Sequence, residues 1–432
     1  MGIYFGTDGI RGIINNDLCF DLMYKCGNAL TTMQEKPTII IGRDTRNSGS
    51  LVSLGVSAGA IQGGAKVIDV GIIPTAGIAY LTKKLECDFG VVISASHNPP
   101  EFNGIKIFDK NGFKLQDEKE NELEKKFIKN YLRDNNDIGS YSYNPSFVNC
   151  YINYLTSIGC NLQGFKIVLD ASNGASFSIA PKVFKKLGAH VYATNCKNNG
   201  DKINYNCGSL YPEVLKRNVL KFKADIGFAF DGDADRIVAV DRYGNILDGD
   251  KILYIIAKYL KLKNKNIKDV VGTSHTNMGI ENALKKLNIN LIRADVGDKY
   301  VLKEMLKQNC MLGGEQSGHI ISLEHSTTGD GILTAVILSK IMKEQGDLSK
   351  FFDVKMLPQV NINVMTTDKL RVINSEFLSS TIYIEQENLK NGRIMVRASG
   401  TEPKIRIMVE CESLNQATSV ANRIAEVVKR IN

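Results

Sequence analysis

Long apolar runs are missing from this chain. Apolar stretches such as 332–338 and 226–230 fall far short of the roughly 18 residues a helix needs to cross a bilayer, so no membrane-spanning segment and no membrane partner is expected. A basic, then apolar, then small-residue leader is also missing from the opening Met-Gly-Ile-Tyr-Phe-Gly-Thr-Asp, and a cytoplasmic location is expected. The nine cysteines contain no C-x-x-C pair and spread from Cys19 to Cys411, which matches neither a disulfide framework nor a zinc site. They are expected to be reduced and mostly packing residues. No concentrated Lys/Arg tract or RNP-type aromatic motif occurs, and 54 basic against 46 acidic residues leave a formal charge of +8 over 432 residues. That excess does not imply nucleic acid, but it favours capture of a small anion. Neither a Walker loop nor a G-x-G-x-x-G fingerprint is present, so no nucleotide cofactor is expected.

What is present is a rhythm. Strand-like runs at 38–41, 66–70 and 90–93 alternate with helix-like stretches at 48–62 and 76–85, the pattern of a βαβαβ unit. Parallel strands of this kind place ligands outside their carboxyl ends, which makes the polar strings at 42–46 and 94–99 candidate site loops. After a charged helical stretch at 117–132, the polar segment 133–146 reads as a linker. The rhythm returns at 165–193 and 225–240, and again at 270–307. From about Gln359 it changes to strand-like runs at 361–364, 393–398 and 405–409, followed by one helix. Ala417, Val420, Ala421, Ile424, Val427, Val428 and Ile431 share one face of that helix, and Ser413 with Gln416 supplies a capping box. At roughly 150 residues per domain the length suggests about three units.

Several loops could carry chemistry. Asp231-Gly232-Asp233-Ala234-Asp235-Arg236 follows an apolar run and sets three carboxylates at alternating positions, so that their oxygens can converge on a hard divalent cation. An EF-hand would need Gly at its sixth position and Glu at its twelfth, where this chain has Arg236 and Arg242; a solvated acidic turn is the plain alternative. Ser96, in Ser94-Ala95-Ser96-His97-Asn98-Pro99, could act as nucleophile or phosphate carrier, or the loop could simply cap a helix; no G-x-S-x-G elbow surrounds it. Arg397-Ala398-Ser399-Gly400-Thr401-Glu402-Pro403 with Arg406 offers guanidiniums and hydroxyls for a phosphate clamp, or else a turn between two strands. Gly314-Glu315-Gln316-Ser317-Gly318-His319 could read sugar hydroxyls. Arg11, in Phe5-Gly6-Thr7-Asp8-Gly9-Ile10-Arg11-Gly12, could bind phosphate or sit in an ordinary hairpin. His190, His275 and His325 have no second ligand at metal spacing and are given no role.

Together these loops resemble the α-D-phosphohexomutase superfamily, and within it the bacterial phosphoglucosamine mutases. The resemblance covers the whole chain in the family's order: FGTDGIRG, GRDTRNSG, ISASHNP, NGIK, DGDADR, GEQSGH and RASGTEP. Gln316, DGDADR and Gly400 look like the glucosamine branch. The resemblance implies an α/β protein of four domains around a central cleft, at 1–150, 151–249, 250–358 and a smaller α+β domain at 359–432. It makes Ser96 the phosphoserine, and Asp231, Asp233 and Asp235 the ligands of one Mg²⁺ whose coordination the Ser96 phosphoryl group completes. Arg11, Lys106 and Arg236 would stabilise charge on the transferring group, and His319 or Lys106 would serve as base. Glu315 and Ser317 would hold sugar hydroxyls, while Arg397, Ser399, Gly400, Thr401 and Arg406 clamp the idle phosphate. The implied activity interconverts glucosamine 6-phosphate and glucosamine 1-phosphate through glucosamine 1,6-bisphosphate, supplying UDP-N-acetylglucosamine and cell-wall synthesis. A mobile final domain hinged near Gln359 is implied too. The first phosphate on Ser96 would come from a kinase or from self-phosphorylation, in a monomer or homodimer. Pro100-Glu101-Phe102 and Ser274-His275-Thr276-Asn277 depart from the usual pattern and leave substrate preference open. A phosphoglucomutase/phosphomannomutase and a non-catalytic sugar-phosphate binder are the alternatives.

Overall fold

The structure, a computed structural model, describes residues 3–6, 8–133, 137–399 and 402–432. The chain forms two compact units, one of residues 1–275 with 289–352 and one of 276–288 with 353–432. Among the described residues no helix is long and apolar enough to cross a membrane.

The first unit holds three sheets built on one plan. In the first, Thr38–Arg43 lies between Lys66–Ile72 and Phe89–Ile93, parallel to both. In the second, Lys166–Asp170 lies parallel to His190–Thr194 and Ile226–Phe230. In the third, Asp269–Thr273 lies parallel to Asn290–Ala294 and Leu312–Gly314. The chain then reverses each time. Phe102–Asp109, Ile237–Asp241 and Ile320–Ser322 run antiparallel to the strands just before them, from the pairs Ile93↔Ile105, Phe230↔Ile237 and Gly314↔Ile320. Phe89–Ile93, Ile226–Phe230 and Ile237–Asp241 are buried at every residue, which is why, Asp241 apart, they read as apolar runs rather than alternating ones. The three reversal loops are those of Ser96, of the Asp231–Asp235 carboxylates and of Glu315.

One expectation changes in this unit. The polar linker holds a strand, Ser140–Tyr143, paired parallel to Lys66–Ile72 at the sheet edge. All four of its residues are exposed, so it carries no apolar alternation to betray it. The apolar run at 332–338 lies in the helix Gly331–Gln345, most of whose residues are buried. Such a helix shows no polar face to the sequence reader.

In the second unit Lys404–Glu410 is the central strand, antiparallel to Gln359–Met365 and Arg393–Ala398. Ile405, Ile407 and Val409 share a core with Val420, Ala421, Ile424 and Val428 of the helix Leu414–Ile431. Ser413 caps that helix, accepting from the Gln416 amide, but the Gln416 side chain donates to the Asn388 carbonyl rather than closing the box. The single expected helix is joined by Lys369–Ile373 and Glu376–Asn388, and by Met278–Lys286 from far upstream. That upstream helix is tied in through polar contacts: Asn277 exchanges two hydrogen bonds with the Leu357 backbone at 2.9 and 3.0 Å. The buried Glu410 carboxylate accepts from the Met278 amide at 2.8 Å, and Arg393 donates to the Thr276 carbonyl at 2.7 Å. Residues 276–288 thus belong to the second of the two compact units.

Candidate active site

The loop between Phe89–Ile93 and Phe102–Asp109 leads into a strand, not a helix, so a helix-capping role for Ser96 is ruled out. Ser96 is buried, and its φ of 51° puts it in the left-handed region, a costly conformation for a residue with a side chain. In that conformation Oγ donates to Asp231 Oδ2 at 2.7 Å and lies 3.4 Å from His97 Nδ1. The neighbouring acidic loop approaches so closely that a Cβ on Gly232 would stand 2.5 Å from the Ser96 carbonyl oxygen. Only glycine admits that approach.

Asp231, Asp233 and Asp235 are all buried and bring one carboxylate oxygen each to within 4.8 Å of the others. The Lys106 ammonium sits against them, 2.8 Å from Asp233 and 3.3 Å from Asp235, and reaches Asp8 at 2.9 Å. Thr75 Oγ1 donates to Asp233 at 2.6 Å. Asp233 Oδ1 and Asp235 Oδ1 nevertheless have no hydrogen-bond partner although buried. Buried orphan carboxylate oxygens are costly, and hard oxygen donors at this spacing suit a divalent cation. The residues present therefore fit a divalent metal. Burial, then the charges of Asp235 and Asp233, push the Asp231 carboxyl well above the usual range. Burial also acts against the Asp235 charge, but Lys106, His319 and Arg236 outweigh it and hold that carboxyl well below the usual range.

Around this centre lies a cavity of about 430 Å³ whose wall includes Asp8, Arg11, His97, Asp235, Arg236, Glu315, Gln316, Ser317 and His319. Arg11 is held by Asp8 and donates to Asn98 Oδ1 at 3.1 Å. The Arg236 amide donates to Asp231 Oδ1 at 3.2 Å. Glu315 Oε1 accepts from the Gly297 amide at 2.9 Å, and burial raises its carboxyl. Ser317 lies in a turn where Gly318, at φ 94°, would place a Cβ 2.0 Å from the Ile237 carbonyl. The Glu315 loop and the strand that follows the acidic loop are thus pressed together.

Both expected bases stand at the acidic centre. Burial works against the Lys106 charge, but Asp233, Asp8 and Asp235 outweigh it and hold the ammonium well above its ordinary pKa. The Gly329 amide donates to His319 Nε2 at 3.0 Å and Nδ1 lies 3.8 Å from Asp235 Oδ2; burial works against the imidazolium, but Asp235 and Asp298 outweigh it and raise its pKa. His97 is different. Burial, followed by the charges of Arg236 and Arg11, lowers it to about 4, so it is a neutral imidazole next to Ser96. It carried no assigned role in the sequence, although it lies inside the Ser96 string. His275, also without a role, lines the same cavity. Lys114 was missed altogether: its ammonium bonds both Asp8 and Asp298. No short motif joins those three residues.

In the second unit Arg397 and Arg406 are directly paired across adjacent strands. Two cations at such a pair repel each other, and an anion between them relieves that repulsion. Arg406 also bonds Glu402 at 3.1 Å, the Ser399 amide donates to the Lys404 carbonyl at 2.9 Å, and Lys369 donates to the Ser399 carbonyl at 2.7 Å. Arg397, Arg406 and Lys369 thus bring positive charge to the end of this strand pair. Gly400 and Thr401, expected in the same clamp, lie outside the described residues, as does Thr7.

Known proteins resemble the chain from end to end. Residues 2–134 match the description "Phosphoglucomutase/phosphomannomutase, alpha/beta/alpha domain I", residues 148–244 its domain II, residues 248–356 its domain III and residues 360–427 its C-terminal domain. A phosphoglucosamine mutase of Clostridium acetobutylicum is 45% identical over 445 residues, covering 100% of this chain and 99% of the relative. One from Thermoanaerobacter sp. is 45% identical over 447 residues, with the same coverage. Among solved structures, a phosphoglucomutase/phosphomannomutase family protein from Burkholderia thailandensis superimposes with a TM-score of 0.84 at 21% identity, over 100% of this chain and 98% of that one. N-acetylphosphoglucosamine mutase from Aspergillus fumigatus, in complex with GlcNAc-6P and magnesium, does so with a TM-score of 0.71 at 18% identity, over 100% and 96%. At those identities the structures speak for the fold.

Proposed function

The chain belongs to the phosphoglucomutase/phosphomannomutase family, and we propose that it is the isomerase that interconverts glucosamine 6-phosphate and glucosamine 1-phosphate. The observation that carries this reading is the Ser96 hydroxyl held 2.7 Å from Asp231, where a phosphoryl group on Oγ would meet the acidic centre. Full-length identity to phosphoglucosamine mutases supports the amino sugar as substrate.

In the forward direction phosphoserine Ser96 gives its phosphoryl group to the 1-hydroxyl of glucosamine 6-phosphate. The Oγ–P bond breaks, an O1–P bond forms, and the hydroxyl proton passes to a base. His319 or Lys106, both beside the acidic centre, would take it. The bisphosphate then turns over, its 6-phosphoryl group returns to Ser96, and glucosamine 1-phosphate leaves. Asp231, Asp233, Asp235 and the Ser96 phosphoryl group would hold one Mg²⁺, which when bound neutralises charge on the transferring group. Arg11, Lys106 and Arg236 supply fixed positive charge at the same place. Glu315 and Ser317 hold sugar hydroxyls. Arg397, Ser399, Gly400, Thr401 and Arg406 bind the phosphate that is not reacting. The four-part division at 1–150, 151–249, 250–358 and 359–432 gives each of these loops its own domain. All nine cysteines carry free thiols, in keeping with a cytoplasmic enzyme.

The test is intact-mass spectrometry and turnover with glucosamine 6-phosphate, Mg²⁺ and a trace of glucosamine 1,6-bisphosphate. Wild type is expected to carry one phosphate, mapped to Ser96, and to form product. Ser96→Ala is expected to stay folded with no phosphate and no turnover. Substantial activity in that variant would refute the mechanism, and a higher kcat/KM for glucose or mannose phosphate would move the substrate to the other branch of the family.

A further inference from the structure

We propose that Arg46 and Asn204 form a positioning clamp that sets the direction of the Ser96 hydroxyl from behind its loop. The proposal rests on the reading of Ser96 as the phosphoryl carrier and adds residues that the reading does not use.

The Arg46 side chain is wholly enclosed, as is that of Asp44 beside it. A guanidinium has five N–H donors in one plane, and here each is engaged. Nε donates to Asp44 at 3.0 Å. One terminal nitrogen donates to the carbonyls of Pro99 and Phe102, the latter at 2.9 Å. The other donates to the carbonyls of Ser96 at 2.9 Å and Asn98 at 2.8 Å. From the second sheet's side, Asn204 Nδ2 reaches the same two carbonyls, Ser96 at 2.8 Å and Asn98 at 3.1 Å.

The amide side of Ser96 is fixed by the same group of residues. Ser94 Oγ accepts from the Ser96 amide at 2.9 Å and donates to Asp44 at 2.6 Å, and Asp44 is the partner of Arg46. Both peptide groups flanking the Ser96 Cα are therefore gripped, and a residue gripped on both sides cannot leave its left-handed φ without breaking several buried bonds. That φ is what aims Oγ at Asp231. Generic loop packing would not require a buried cation whose donors converge on carbonyls of one loop. Lysine, a point charge without the planar fork, cannot reproduce the set.

A misplacement of about 1 Å can cost about a hundredfold in rate, which sets the expected scale. Arg46→Lys should lower kcat about a hundredfold and Asn204→Ala about tenfold, each with KM for glucosamine 6-phosphate within about twofold of wild type. The rate at which glucosamine 1,6-bisphosphate phosphorylates Ser96, followed by intact mass, should fall in parallel. Thermal midpoints are recorded alongside. Guanidinium ion added at non-denaturing concentration should restore part of the rate in Arg46→Ala and none in Asn204→Ala. If the arginine variants do not fold, the Asn204→Ala comparison decides alone. Wild-type phosphorylation rates in folded variants, or losses that merely follow lowered stability without guanidinium rescue, would overturn the clamp. A wild type that neither takes phosphate on Ser96 nor turns over would instead overturn the functional reading and the clamp with it.

Discussion

Lys106→Met separates two roles that the acidic centre assigns to one ammonium. The side chain is buried and contacts Asp233, Asp8 and Asp235 at 2.8, 2.9 and 3.3 Å. Methionine keeps the stem and removes the charge, leaving buried carboxylates short of a partner. Breaking one side of a buried ion pair costs about 3–5 kcal/mol, so chelator-treated Lys106→Met should be less stable than chelator-treated wild type by that order. The same change frees Asp233 and Asp235 from competition with an ammonium. Affinity for Mg²⁺ should rise at least about tenfold, and metal at about a hundred times its dissociation constant should return about 2.7 kcal/mol of stability. Turnover should move the other way, falling about a hundredfold or more, because a fixed charge facing the transferring phosphoryl group is gone. Titration calorimetry of the metal-depleted proteins, denaturation with chelator and with Mg²⁺, and turnover of glucosamine 6-phosphate provide the three readouts. Unchanged or weaker Mg²⁺ binding in the variant would refute the reasoning, since Lys106 and the metal would then not share carboxylates.

Two further outcomes follow from buried carboxylates. Asp233→Asn removes a charged donor but retains an oxygen for the Thr75 hydroxyl, so the protein should fold while its Mg²⁺ affinity drops at least about tenfold; calorimetry showing unchanged affinity would exclude Asp233 from the metal site. Asp330, whose side chain caps the helix Gly331–Gln345 and accepts from the Tyr151 hydroxyl at 2.7 Å, is raised by burial to about 6. Because its folded pKa lies above the unfolded value near 4, the native state binds the extra proton, and this group's contribution to stability falls as pH rises from about 4 to 6. Asp330→Asn should therefore gain about 2–3 kcal/mol relative to wild type between pH 4 and pH 7, measured by urea denaturation; an identical difference at both pH values would contradict the assignment.

The sheets of the first unit were legible because their strands carry short apolar runs, such as Ile39–Ile41, Ile167–Leu169 and Ile226–Phe230, that lead into polar strings, so rhythm and site loops could be read together. Ser140–Tyr143 was not, since an exposed edge strand of Ser and Tyr has the composition of a linker. Asp231, Asp233 and Asp235 announce themselves by alternation within six residues. Arg46 and Asn204 do not. Arg46 stands in a string that reads as a loop facing ligand, but its side chain turns inward to carbonyls 50 and 52 positions later in the chain. Asn204 sits in an asparagine-rich stretch and meets Ser96 across a separation of 108 residues. His97 illustrates a further limit: burial first, and then Arg236 and Arg11, lower its pKa, and a linear reading brings none of these to it.

The helix Met278–Lys286 has a practical consequence for anyone cutting this gene. A fragment beginning at residue 353 would contain every strand of the C-terminal sheet, yet leave Glu410 and Arg393 without the Met278 amide and Thr276 carbonyl they bind. The complementary fragment ending at residue 352 would carry that helix stripped of the Leu357 backbone that anchors Asn277. The boundary that looks cleanest along the chain thus damages both products, and a separable C-terminal piece has to be made by grafting residues 276–288 onto it rather than by truncation.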